Sequence, residues 1–178
     1  LDPAIMAFAM RDANVKLGDR VAIFGLGAIG LMCVQLAKLA GAEQVVAIDF
    51  LENRRALATA YGADHVIDPK VSGDAGLAVR ELAGPSYYGG EAQGLFLGDE
   101  FHVNRLNMIS CRAQSVPLRD YPAWTLQRYA EVCQEWLRTG KLRTDGIITP
   151  VVSIAGAADA YREIDEHPER SIKLGVAF

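Results

Sequence analysis

One segment of this 178-residue chain narrows its possible folds more than any other: Arg20-Val21-Ala22-Ile23-Phe24-Gly25-Leu26-Gly27-Ala28-Ile29-Gly30. Three glycines in the spacing G-x-G-x-x-G follow a continuous apolar run and precede a strongly apolar helical pattern over residues 28–40. An uninterrupted apolar run such as residues 21–24 suits a strand buried on both faces of a parallel sheet. Gly41 stands where a left-handed helix cap belongs. A second buried strand is predicted over residues 44–48, ending at Asp49, then a polar-faced helix over about 52–61 stopped by Gly62. A short strand at residues 65–67 closes on Asp68-Pro69. This alternation predicts an α/β fold, a doubly wound parallel sheet with helices on both faces.

Each part of the glycine segment has a physical reason. Gly25 permits a tight strand-to-helix turn, Gly27 removes a side chain where a pyrophosphate must approach the backbone, and Gly30 lets helix and strand pack closely. The amides of Ala28 and Ile29 then point from the helix N-terminus toward phosphates. Asp49 ends the next strand about 20 residues further on, as the dinucleotide fingerprint requires. Its carboxylate can accept from both adenosine-ribose hydroxyls and would repel a 2′-phosphate, which favours NAD over NADP. Two plainer readings stay open. Such glycines serve structure alone in some doubly wound proteins, and Asp49 could cap the helix that begins near Glu52. Flavin adenine dinucleotide uses the same fingerprint.

The remaining pattern is less regular. Residues 75–83 read as a short helix, 84–90 as loop, and residues 106–111 as a strand. A helix is predicted over 122–137, with Leu126, Tyr129, Cys133, Trp136 and Leu137 at helical spacing. Residues 147–153 and 171–178 read as strands flanking a helix at 156–165. The net charge of −4 argues against a nucleic-acid partner, which usually calls for a basic face. No apolar run reaches the roughly 18 residues of a membrane span. Cys33, Cys111 and Cys133 are odd in number and far apart, so no disulfide framework is expected and a cytoplasmic setting is the default. The start, Leu1-Asp2-Pro3, reads as cut from a longer chain.

The stretch NVKLGDRVAIFGLGAIGLMCVQLAKLAGAEQVVAIDFLENRRALATAYGADHVIDP resembles the cofactor domain of the zinc-containing alcohol, sorbitol and threonine dehydrogenases, the medium-chain dehydrogenase/reductase superfamily. Lys16-Leu17-Gly18-Asp19 matches that family's turn before the first strand, and Tyr61-Gly62-Ala63-Asp64 its entry to the third. The ending, GKLRTDGIITPVVSIAGAADAYREIDEHPERSIKLGVAF, is similar to the family's return toward its substrate domain. The resemblance implies a domain at 1–144 that binds NAD through Gly25, Gly27, Ala28, Ile29, Gly30 and Asp49. It also implies that Arg54 lies over the adenine or its ribose, and that residues 145–178 form a returning segment. Two departures stand out. The β-rich substrate domain, with its catalytic zinc ligands and proton relay, is absent. A strand–helix–strand unit, which takes roughly 30 residues or more, is missing between the equivalents of Gly84 and Tyr87.

Other candidates carry plainer readings. His65, His102, His167 and the cysteines show no metal-ligand spacing, and Cys33 falls inside an apolar helix as a buried cysteine. Arg105 could meet a phosphate or carboxylate, Cys111-Arg112-Ala113 could touch nicotinamide, and Tyr87-Tyr88 could stack a ring. Glu163, Asp165, Glu166 and Glu169 read as a solvent-facing helix end. The expected function is the NAD-binding part of a zinc-type dehydrogenase acting on a small alcohol or polyol. No catalytic residue or metal ligand is expected on this chain, which alone should be inactive. The alternative is a non-catalytic nucleotide-binding or assembly module. Val151, Val152 and Ile154, with the apolar side of residues 172–176, would be left uncovered, so a homo-oligomer is expected.

Overall fold

A computed structural model describes residues 1–73, 78, 82, 116 and 118–178. The chain opens with α1 (Asp2–Ala7), carrying Pro3 in its first turn, where a missing amide costs nothing. The helix expected over 3–14 does not continue. It tightens into a 3-10 turn over Phe8–Ala13, closed by Asn14 in the left-handed conformation. In 3-10 winding, residues three apart eclipse one another. Phe8 and Arg11 therefore reach the same partner, Trp124, the ring centroids 6.2 Å apart and the guanidinium 4.2 Å from the indole.

The expected alternation then appears in order. β1 (Arg20–Phe24), α2 (Ala28–Ala40), β2 (Gln44–Ile48), α3 (Glu52–Ala60) and β3 (His65–Ile67) build a parallel sheet ordered β1-β2-β3. Val21 pairs with Val45, and Val46 with His65. β2 lies between its neighbours and is the most apolar strand; Val45, Val46, Ala47 and Ile48 are all buried. From α2, Leu31, Met32, Val34, Leu36 and Ala37 enter the core. Gly41 caps it at φ 98°, as expected. A one-turn helix, α4 (Pro69–Ser72), follows β3, its first turn capped by Asp68. Of residues 75–83 only Ala78 and Leu82 are described, both helical. The expectations for loop 84–90, strand 106–111, Tyr87-Tyr88, His102, Arg105 and Cys111-Arg112-Ala113 lie outside the described residues, as does the junction at 84–87.

The next helix, α5 (Leu126–Arg138), begins four residues later than expected. Thr125 is its N-cap and accepts from the Arg128 amide at 3.2 Å, satisfying a first-turn donor that Pro122 could not. Tyr129 and Cys133 of its predicted apolar face are buried, while Leu126 is exposed. Residues 142–147 cross back over the first sheet's helices. The buried Gln35 side chain of α2 brackets Arg143, donating to its carbonyl at 3.0 Å and accepting from its amide at 2.7 Å. Tyr61 donates to the Asp145 carbonyl at 2.9 Å. A second parallel pair, β4 (Ile148–Ser153) and β5 (Lys173–Ala177), joined through α6 (Ala157–Glu166), ends the chain.

Candidate functional site

The glycine loop joins the C-terminal end of β1 to the N-terminus of α2. The ladder runs one step into it, with the Gly25 amide donating to the Ile48 carbonyl at 2.9 Å. Gly25 then turns the chain at φ 86°, a conformation that side chains disfavour. Gly27 is the N-cap of α2 and offers no capping side chain, so the first-turn amides are left for an outside acceptor. A Cβ on Gly27 would meet nothing within 4 Å, which leaves the backbone open to an approaching group. Gly30 is the opposite case. A Cβ there would stand 1.9 Å from the Gly25 carbonyl oxygen, so this glycine sets how closely α2 packs on its own entry turn.

Asp49 is 8% exposed and sits beside this loop. Its two carboxylate oxygens accept from backbone amides on both sides, Oδ2 from Leu26 at 2.7 Å and Oδ1 from Leu51 at 2.9 Å. The expected alternative, a helix cap, takes a different form: Leu51 is the N-cap of α3, and Asp49 ties the residue before the helix to the glycine loop. A carboxylate has about four lone-pair sites, so acceptor capacity remains after two amides. Arg54 lies with Nη1 3.9 Å from Asp49 Oδ2 and Nη2 donating to the Ser171 carbonyl at 3.4 Å. Its buried Nε has no hydrogen-bond partner. Arg55 donates to the Asp49 carbonyl at 2.7 Å and pairs with Asp68 at 2.9 Å, bracing the end of β2.

A cleft of about 620 Å³ opens on the loop. Gly25, Gly27, Ile29 and Gly30 line it, together with Cys33, Asp2, Ile172 and Lys173. Cys33 was expected to be buried; it is half-buried and faces this cleft, because its position on α2 falls one turn past the glycine loop. Lys173 was not signalled by sequence, since a contact across so long a separation leaves no local pattern. Phe50, directly after Asp49, is 57% exposed and also carried no signal. Ala28 and Ile29 occupy the first turn of α2, where the sequence put them.

The Cys133 thiol is buried and pushed up to about 11 by that burial, an inert state for a ligand or nucleophile. Glu163, Glu166 and His167 come together on the last turn of α6, but Glu163 is paired with Arg170 and His167 with Glu169. Glu163, Asp165, Glu166 and Glu169 are exposed, as expected of a helix end. No helix among the described residues is long and apolar enough to cross a membrane.

Residues 28–90 match the family model for zinc-binding dehydrogenases. The chain is 37% identical to D-guloside 3-dehydrogenase of Escherichia coli K12 over 211 positions, covering 99% of this chain and 60% of that protein. It is 29% identical to D-xylulose reductase of Saccharomyces cerevisiae, covering 97% of this chain and 55% of that one. The chain thus spans about 60% of the length of the first of these curated relatives. The first alignment is also longer than the chain's 178 residues, so that relative carries positions with no counterpart in this chain. Among solved structures, the alcohol dehydrogenase TADH of Thermus sp. ATN1 superposes with a TM-score of 0.70 at 20% identity, over 99% of this chain and 58% of that one. A short chain alcohol dehydrogenase of Escherichia coli CFT073, solved with NADH, gives 0.72 at 20% identity over 99% and 58%. These structures carry Rossmann-type domains and establish the fold. By sequence, the chain is homologous to the zinc-containing medium-chain alcohol and polyol dehydrogenases, and it carries their zinc-binding-dehydrogenase signature over residues 28–90.

Proposed function

We propose that this chain is the NAD-binding part of a zinc-type alcohol or polyol dehydrogenase, with the dinucleotide laid across the glycine loop. The observation that carries this reading is the pairing of an open Gly27 backbone with a buried, amide-fixed Asp49 beside it. The pyrophosphate meets the first-turn amides around Ala28 and Ile29, where the α2 dipole favours negative charge. Lys173 also lines the cleft, together with Asp2, and brings a cation to it. The adenosine ribose binds at Asp49, whose oxygens are held by the Leu26 and Leu51 amides and so need no reorientation to accept two hydroxyls. Arg54 flanks that carboxylate, and the exposed Phe50 ring offers the adenine an apolar face.

Bound NAD would supply a hydride acceptor at its nicotinamide ring, and this chain's part is to fix the cofactor's position and orientation. No step on this chain is assigned to zinc. D-guloside, a glycoside, and D-xylulose, a ketose, in the names of the relatives favour a sugar or polyol as the substrate class. The same residues support cofactor choice. A 2′-phosphate would be forced against the buried Asp49 carboxylate, so NAD should bind at least tenfold more tightly than NADP, about 1.4 kcal/mol. Calorimetric titration of both dinucleotides tests this, with Asp49→Ser expected to erode the preference. Equal affinity of the unsubstituted chain for both contradicts the assignment.

A further inference from the structure

A second cavity, of about 320 Å³, opens away from the glycine loop, between the 3-10 turn after α1, the C-terminal half of α2, the turn at Leu118–Asp120, and α5. We propose that this cavity binds a small planar aromatic carboxylate of one or two rings. Its volume lies at the lower end of the range for small-molecule sites, which admits a ligand of that size and little more.

The walls define the chemistry. Both tryptophans of the chain, Trp124 and Trp136, line the cavity, together with Phe8 and aliphatic residues of α2. Cations already lie over the Trp124 and Trp136 faces, so the ring edges, Phe8 and the aliphatic side chains supply an apolar lining that suits an apolar ring. The charge around them is positive, although the chain as a whole carries −4. The Trp124 indole lies between the guanidiniums of Arg11 and Arg128, 4.2 and 4.4 Å from their centres. The Lys141 ammonium is 4.3 Å from the Trp136 ring. Arg119 is a further cation on the wall, and the one acidic wall residue among those described, Asp120, is spent on Arg11 at 2.9 Å.

Two groups remain for a carboxylate. Arg119 stands 3.9 Å from Asp120 and donates to the Arg11 carbonyl, which leaves further N–H donors on its guanidinium. Asn14, at φ 55°, presents a carboxamide that bonds no described residue. A guanidinium with spare donors on the wall of a cavity lined by aromatic and aliphatic side chains selects a ring that bears an anionic group over either part alone. The site does not depend on the dinucleotide reading, since none of these residues touches the glycine loop's cleft.

The chain reports on this site itself, because its only tryptophans line it. Benzoate, benzamide and acetate are titrated into the full chain, followed by tryptophan emission and calorimetry. Benzoate should give a saturable change, benzamide should bind at least tenfold more weakly, and acetate should give none. ADP-ribose should leave the benzoate affinity unchanged. Arg119→Gln, at an exposed position, should weaken benzoate at least tenfold in calorimetry, and Asn14→Gly should weaken it severalfold while keeping the left-handed turn. A response that never saturates, benzamide binding as well as benzoate, displacement by ADP-ribose, or undiminished binding to both variants would each overturn the proposal.

Discussion

Gly30 has no room for a side chain. A Cβ would sit 1.9 Å from the Gly25 carbonyl oxygen, backbone against backbone, so α2 would have to lift off its entry turn. Gly30→Ala should cost on the order of 3 kcal/mol, read as a lower midpoint in urea unfolding; an unchanged midpoint would mean that the turn is free to relax. This glycine and Asp49 were legible in the sequence because the fingerprint is local, a fixed spacing between two predicted elements. What Asp49 holds was not legible. Its grip on the Leu26 and Leu51 amides depends on the side-chain rotamer and on how two loops converge. Arg54, expected over the adenine or its ribose, lies beside the Asp49 carboxylate and donates to the Ser171 carbonyl, a link between distant parts of the chain that no local pattern announces.

At the scale of elements, β3 is tied to its neighbours by Asp64. That carboxylate accepts from the Val45 amide at 2.7 Å and pairs with Lys38 of α2 at 3.0 Å. Partial burial pushes its pKa upward, but the Val45 amide and the Lys38 ammonium outweigh it, and the carboxyl is held below its ordinary value. A depressed folded pKa stabilises the fold above the unfolded value, near 4, and the stabilisation is lost as pH falls through the lower folded value. Asp64→Asn should therefore lower stability at pH 7 by under about 1 kcal/mol, since the pair is solvent-exposed. The two proteins should converge in acid unfolding midpoints below pH 4. A difference that persists at low pH would mean that the charge is not the cause. Strands and helices from β1 to β3 followed the predicted alternation because apolar runs and glycine stops are short-range signals. The late start of α5 at Leu126 and the 3-10 winding at Phe8–Ala13 were missed. The first rests on a Thr125 cap and the second on packing against Trp124, which periodicity does not register.

For the whole molecule, the described residues form two parallel sheets, one carrying the glycine loop and the other made of β4 and β5. The second sheet leaves apolar side chains in water. Val151 and Ile154 are 62% and 64% exposed, joined by Ile148, Tyr161 and Phe178, and an apolar patch of this kind marks a contact surface. Of the residues expected to be uncovered, Val151 and Ile154 are exposed while Val152 and Ile172 are half-buried. The 178-residue chain should self-associate in sedimentation experiments, and the double substitution Val151→Lys with Ile154→Glu should shift it toward monomer. A stable monomer at high concentration would show that the face is tolerated in water.

The account rests on the claim that the glycine loop and Asp49 hold the adenosine-diphosphate half of a dinucleotide. Calorimetric titration of NAD, ADP-ribose and nicotinamide mononucleotide into the same chain tests it directly. The site described reaches from the pyrophosphate to the adenosine ribose, so ADP-ribose should bind about as tightly as NAD, and nicotinamide mononucleotide should show no measurable binding. Failure of ADP-ribose to bind, or mononucleotide affinity equal to that of NAD, would contradict the account.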